Sequence, residues 1–188
     1  MDYKQIFDKS EALYLNIIKD ISHMAETVAD SMKKAGKPFD PELTVMKFDI
    51  VFQYSLLQVA CSDNELAKNE TAFIRDLTEY ADFCDFLSAD NGEYKDVTWE
   101  KLMSFNANEA EDLLDIVEDR VRSVSEEVIN VFAICDKATK HDYLSDLSDN
   151  VFGVISGLAL ADGDEDSEDL KKNILIFECL DKIESRLK

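Results

Sequence analysis

Apolar residues recur every three or four positions along most of the chain, the spacing that lays a stripe down one face of an α-helix. From Tyr3 to about Ala35 the stripe is Ile6, Leu13, Tyr14, Ile17, Ile18, Ile21, Met24, Ala25, Val28 and Met32. It predicts one long helix, stopped by Gly36 and Pro38. Asp40 before Pro41 supplies an N-cap and a first-turn proline, and Val45, Phe48, Val51, Phe52, Leu56 and Val59 carry a second helix to about Ala60. Beyond a polar turn, Cys61 to Ala67, the residues Phe73, Ile74, Leu77, Tyr80, Cys84 and Leu87 predict a third. Ser88 to Val97 reads as a surface connection, and Thr98 to Phe105 as a short helix with Trp99 and Leu102 turned inward. A long stretch from about Asn108 to Lys137 follows, with Ser123 to Ser125 as the point where it would bend or break. Thr139 to Asp142 has the form of a capping box opening a helix to about Ala161, and a last helix runs from about Asp166 to Leu187. The pattern therefore predicts an all-α fold, a compact bundle of about seven helices.

The order long helix, helix, acidic turn, helix occurs twice. Val59 to Glu65 aligns with Leu158 to Asp164 at an offset of 99, and Ile74, Leu77, Tyr80, Phe83 and Leu87 align with Ile174, Phe177, Leu180, Ile183 and Leu187 at an offset of 100. This predicts a single domain over 1–188 made of two pseudo-symmetric halves, about 1–88 and 106–188, joined by 89–105.

Composition narrows the function. Of 188 residues, 41 are Asp or Glu and 20 are Lys or Arg, a formal charge of −21. That excess argues against nucleic acid and anionic membrane surfaces as ligands, because both are held by Lys and Arg. Cations and basic protein surfaces remain. No apolar run approaches the ~18 residues needed to cross a bilayer, and no signal peptide opens the chain, so the expected location is cytoplasmic. Cys61, Cys84, Cys135 and Cys179 are widely spaced in apolar helical contexts and read as small buried hydrophobes. No P-loop, nucleophile elbow, HExxH or dinucleotide fingerprint occurs, and nothing nominates a base for carboxylate-only metal hydrolysis; an enzyme is not expected.

The two acidic turns carry the candidate chemistry. Ala161-Asp162-Gly163-Asp164-Glu165-Asp166-Ser167-Glu168-Asp169 follows an apolar helix, and Ser62-Asp63-Asn64-Glu65-Leu66-Ala67-Lys68-Asn69-Glu70 is a second version of it. Both resemble the A-D-G-x-h-S-x-x-E signature of the TerB-like family, which includes tellurite-resistance TerB and the N-terminal region of the DjlA co-chaperone. The resemblance implies an all-helical domain with one such turn in each half, acidic residues that bind a divalent cation (Ca²⁺, Mg²⁺ or Mn²⁺), and a stress-response setting. Residue by residue it points to Asp63, Glu70, Asp162 and Asp169 as metal ligands.

Physically, a carboxylate three residues after a helix N-cap position also reaches back to the open backbone amides, so Glu70 and Asp169 have a capping role to fill as well. Ala67 has no side chain with which to cap, which leaves the first box half built. Asp162, Asp164 and Asp166 alternate like the start of an EF-hand, but Ser167 and Asn173 stand where its glycine and bidentate glutamate belong. Gly153, Gly157 and Ala161 form a small-residue stripe that lets another helix come close. Glu109, Glu111, Asp112, Asp115, Glu118 and Asp119 read as the wet face of a helix, with a docking face for a basic partner as the minority reading. The expected function is a helical module binding a cation or a protein partner through its two acidic corners. The rival is an acidic interaction protein, of inhibitor or immunity type, that covers a basic partner without metal.

Overall fold

The computed structural model describes residues 2–62, 66–78, 81–89, 96–139, 143–162 and 174–187, and these contain helices and no strand. Eight helices occur among them: α1 Tyr3–Lys34, α2 Pro41–Ala60, α3 Lys68–Thr78, α4 Ala81–Ser88, α5 Trp99–Leu102, α6 Ala107–Thr139, α7 Tyr143–Asp162 and α8 Leu175–Leu187. The count exceeds seven because the third predicted helix is described as α3 and α4, with 79 and 80 outside the described residues. The start predicted for the last helix, near Asp166, also lies outside them, as does most of the Thr139 to Asp142 box.

Local chemistry sets the helix ends. Asp40 Oδ1 accepts the Leu43 amide at 3.2 Å with Pro41 in the first turn, as the sequence predicted. Gly36 adopts φ +68°, and the Gly36 and Lys37 amides donate to Lys33 and Met32 carbonyls at 3.1 and 3.0 Å, a closing turn that needs a left-handed residue. The α6 start is a reciprocal capping box: Glu109 N donates to Asn106 Oδ1 at 3.1 Å, and Asn106 N to Glu109 Oε2 at 2.9 Å. No break interrupts α6 at Ser123 to Ser125. Ser125 is fully buried, its hydroxyl donating to the Arg122 carbonyl at 2.8 Å within the helix and lying 3.0 Å from Cys179 Sγ, so the polar residue is satisfied inside a continuous helix.

One core runs through the molecule, built from Phe48, Phe52, Tyr54, Phe73, Phe83 and Phe132 among others. The principal helix pairs are α1 on α7 and α2 on α6, followed by α1 on α2 and α6 on α8. Contacts along α1 fall at Ser10 with Gly157 and Leu13 with Gly153, so α1 and α7 are antiparallel. Lys47 pairs with Glu127, and Tyr54 Oη donates to the Leu114 carbonyl at 3.3 Å, so α2 and α6 are antiparallel as well. The turn from α6 into α7 closes when Asp136 accepts the Tyr143 and Leu144 amides at 2.6 and 3.2 Å. With α6 antiparallel to both, α2 and α7 run in the same direction, and they touch.

The small-residue stripe does what its spacing predicted, and α1 is the helix it admits. A Cβ on Gly153 would stand 2.6 Å from Leu13 Cδ1, and one on Gly157 would overlap the Ser10 hydroxyl and lie 3.6 Å from Phe73 Cζ. Leu102 is buried and Trp99 is half-buried, as expected of the short α5. Cys61, Cys135 and Cys179 are buried and Cys84 is half-buried, all as free thiols.

Candidate functional site

The two acidic turns follow the C-terminal ends of α2 and α7. Because those helices run the same way, Ala60 and Asp162 both end at the same end of the bundle. The surroundings of the two ends interlock. Gln58, in the last turn of α2, accepts the Leu175 amide at the start of α8 through Oε1 at 3.1 Å. Gly157, in the last turns of α7, packs against Phe73 of α3. Each turn-bearing helix thus touches the helix that follows the other turn. Gln58 and Gly157 also occupy equivalent positions at the offset of 99.

Of the four carboxylates that the sequence nominated, Glu70 is the one whose side chain is described. It is 6% exposed, and its Oε2 accepts the Ala67 amide at 3.0 Å. This is the half-built capping box: the carboxylate reaches back over the first turn of α3, where an acid also favours the positive end of the helix dipole. Asp162 is the last residue of α7 and its side chain lies outside the described residues, as do Asp63 and Asp169 entirely. Among the described residues no group of three or more His, Cys, Asp or Glu is arranged to hold a metal ion. No described helix is long and apolar enough to cross a membrane.

Sequence periodicity gave no sign of a set of carboxylates away from the acidic turns. Asp136, Asp149, Asp181 and Glu184 surround a groove of about 250 Å³, floored by Leu144 and Leu180, at the opposite end of α7 from the acidic turn. They come from three helices with no common spacing, so only the packing of α7 and α8 against the end of α6 assembles them. Asp136 already serves the backbone there as the cap of α7.

Around the bundle, arginine ties α6 to its neighbours. Arg122 bonds Glu118 on its own helix at 2.6 Å and Glu178 of α8 at 3.0 Å. Those two hydrogen bonds, the Glu118 one first, raise the guanidinium pKa, so the clamp keeps its charge at any accessible pH. Arg120 donates to the Phe86 carbonyl at 3.0 Å and lies 4.3 Å above that ring. Comparison of the chain with protein-family models, curated proteins and solved structures gave no match.

Proposed function

We propose that this chain is a non-enzymatic, TerB-like helical module that binds a divalent cation between two acidic corners, with Asp63 and Asp162 leading and Glu70 and Asp169 behind them. The observation that carries this reading is the shared direction of α2 and α7, with the Gln58 to Leu175 hydrogen bond tying the end of one corner's helix to the start of the other's. The exchange of partners, α1 on α7 and α6 on α2, supports a duplicated unit, because a two-fold relation between halves turns one pair into the other. Like charges gathered at one end repel one another, and a hard cation with several oxygen ligands relieves that cost. In this reading Glu70 braces its corner from the first turn of α3, where it already accepts the Ala67 amide.

A ligand held by the folded state alone raises stability by about 2.7 kcal/mol at a hundredfold excess over its Kd. The test is isothermal titration and thermal melting with Ca²⁺, Mg²⁺ and Mn²⁺ on the wild type, Asp63→Asn and Asp162→Asn. One of the ions should release or absorb heat saturably and raise Tm, and both substitutions should abolish the shift. Flat heats with all three ions would overturn the reading.

A further inference from the structure

We propose that the solvent-facing ridge of α6 docks a basic, amphipathic helix of a protein partner. The ridge is defined by two residues of the wrong kind for a wet face: Ile116 is 60% exposed and Ile134 is 46% exposed. One exposed isoleucine is ordinary. These two lie on one uninterrupted helix, Ala107–Thr139, 18 positions apart. At 3.6 residues per turn that separation is five whole turns, so both point the same way about 27 Å apart. Asp119, Ser123 and Asn130 lie between them on that line, and all are exposed.

Charge selects the occupant. Asp112, Asp115, Asp119 and Glu126 are exposed on or beside the ridge, and none forms an ion pair with a described residue. Three of the nearby cations are engaged elsewhere, Arg120 with Phe86, Arg122 with Glu118 and Glu178, and Lys47 with Glu127, and Lys137 stands exposed beyond Ile134 in the last turn of α6. A second copy of the chain would bring acid against acid, and nucleic acid or anionic lipid carries the wrong sign. A straight line of five turns with an apolar anchor at each end fits another helix laid nearly parallel, its own lysines or arginines falling opposite the aspartates. At the Ile134 end the surface continues into a groove of about 160 Å³ between α2 and α6, where Leu43 and Val131 can receive an apolar side chain from the partner. This surface shares no residue with the acidic corners, so either proposal can fail without the other.

The probe is a fluorescein-labelled amphipathic helix of leucine, alanine and lysine, about 25 residues long so as to span five turns. Its glutamate counterpart serves as control, and anisotropy is read on the full chain. The lysine peptide should bind saturably and the glutamate peptide should not. Ile116→Ser combined with Ile134→Ser should weaken binding about tenfold or more, and Asp112→Asn combined with Asp119→Asn should weaken it and flatten its salt dependence. Leu15→Ser, which alters a 61% exposed leucine on α1, should leave binding unchanged. The isoleucines are exposed, so the double variant should melt as the wild type does. Absence of saturable binding overturns the proposal. So does an isoleucine variant that binds like the wild type, an equal loss in Leu15→Ser, or a wild-type dimer in sedimentation that dissociates in the isoleucine variant.

Discussion

Gly157 of α7 meets the Ser10 hydroxyl of α1 so closely that no side chain fits between them, while Ser10 Cβ stands 3.4 Å from where a Gly157 Cβ would be. Replacing Gly157 by Ala gains about 1 kcal/mol of helix propensity, but the new methyl would overlap the buried Ser10 hydroxyl and force that side chain to move, and such overpacking typically costs about 1–3 kcal/mol. Gly157→Ala should therefore lower stability in urea melts. Ser10→Ala removes the clashing oxygen and should recover most of that loss, making the double-mutant cycle strongly non-additive. At Gly153 the obstacle is the tip of the half-buried Leu13 side chain, which can turn aside, so Gly153→Ala should be close to neutral.

Gln58→Leu keeps the bulk of the side chain and deletes the acceptor for the Leu175 amide. A lost hydrogen bond to a partly buried helix-end amide should cost about 1 kcal/mol. Hydrogen exchange should show the amides at the start of α8 opening faster in this variant, with α1 unchanged.

Arg122→Met removes both arms of the α6 to α8 clamp. Glu118 and Glu178 are 40% and 42% exposed, so water screens much of the attraction. A loss of about 1 kcal/mol at low ionic strength is expected, shrinking as NaCl is added. Thermal melts of the variant and the wild type at low and high salt measure the difference.

Burial pushes the Cys84 thiol from 9.0 up to about 11, with Asp85 and then Glu100 adding to it. Burial likewise raises the Tyr54 phenol, helped by Glu118 and Asp115. In both cases the folded state holds its proton more tightly than the unfolded chain. Their contribution is therefore intact below pH 9 and is lost as the unfolded groups ionise, between about 9 and 11 for Cys84. Stability should fall across that alkaline window, and Cys84→Ala should flatten the fall. At pH 8 the native protein should show slower labelling of Cys84 by a thiol reagent than the urea-unfolded chain.

Periodicity and capping chemistry, which act over a few residues, made most of the helix boundaries legible: Asp40 with Pro41, Gly36, and the pair Gly153 and Gly157 all do what their spacing implied. Glu70 shows the same local logic, reaching back three residues to Ala67. What the sequence left unseen depends on partners far away along the chain. Gln58 ends α2 in the sequence but caps α8, 117 residues later. Gln53 likewise offers its side-chain carbonyl to the Phe83 amide of α4 at 3.3 Å. Ser125 looked like a helix breaker because its buried neighbour, Cys179, comes from α8. Of the candidate site, the sequence supplied residue types and the fold supplies the common end of α2 and α7, with Asp63, Asp169 and the Asp162 side chain lying outside the described residues.

The exchange of helices between the two stretches of chain has a consequence for how the molecule is held together. With α1 seated on α7 and α6 on α2, neither the first ninety or so residues nor the last ninety own a complete interior. Expressed alone, each fragment would expose the wall that its counterpart normally covers. Mixed, the two should find one another and restore a single cooperative melt, much as the separate subunits of an obligate dimer do.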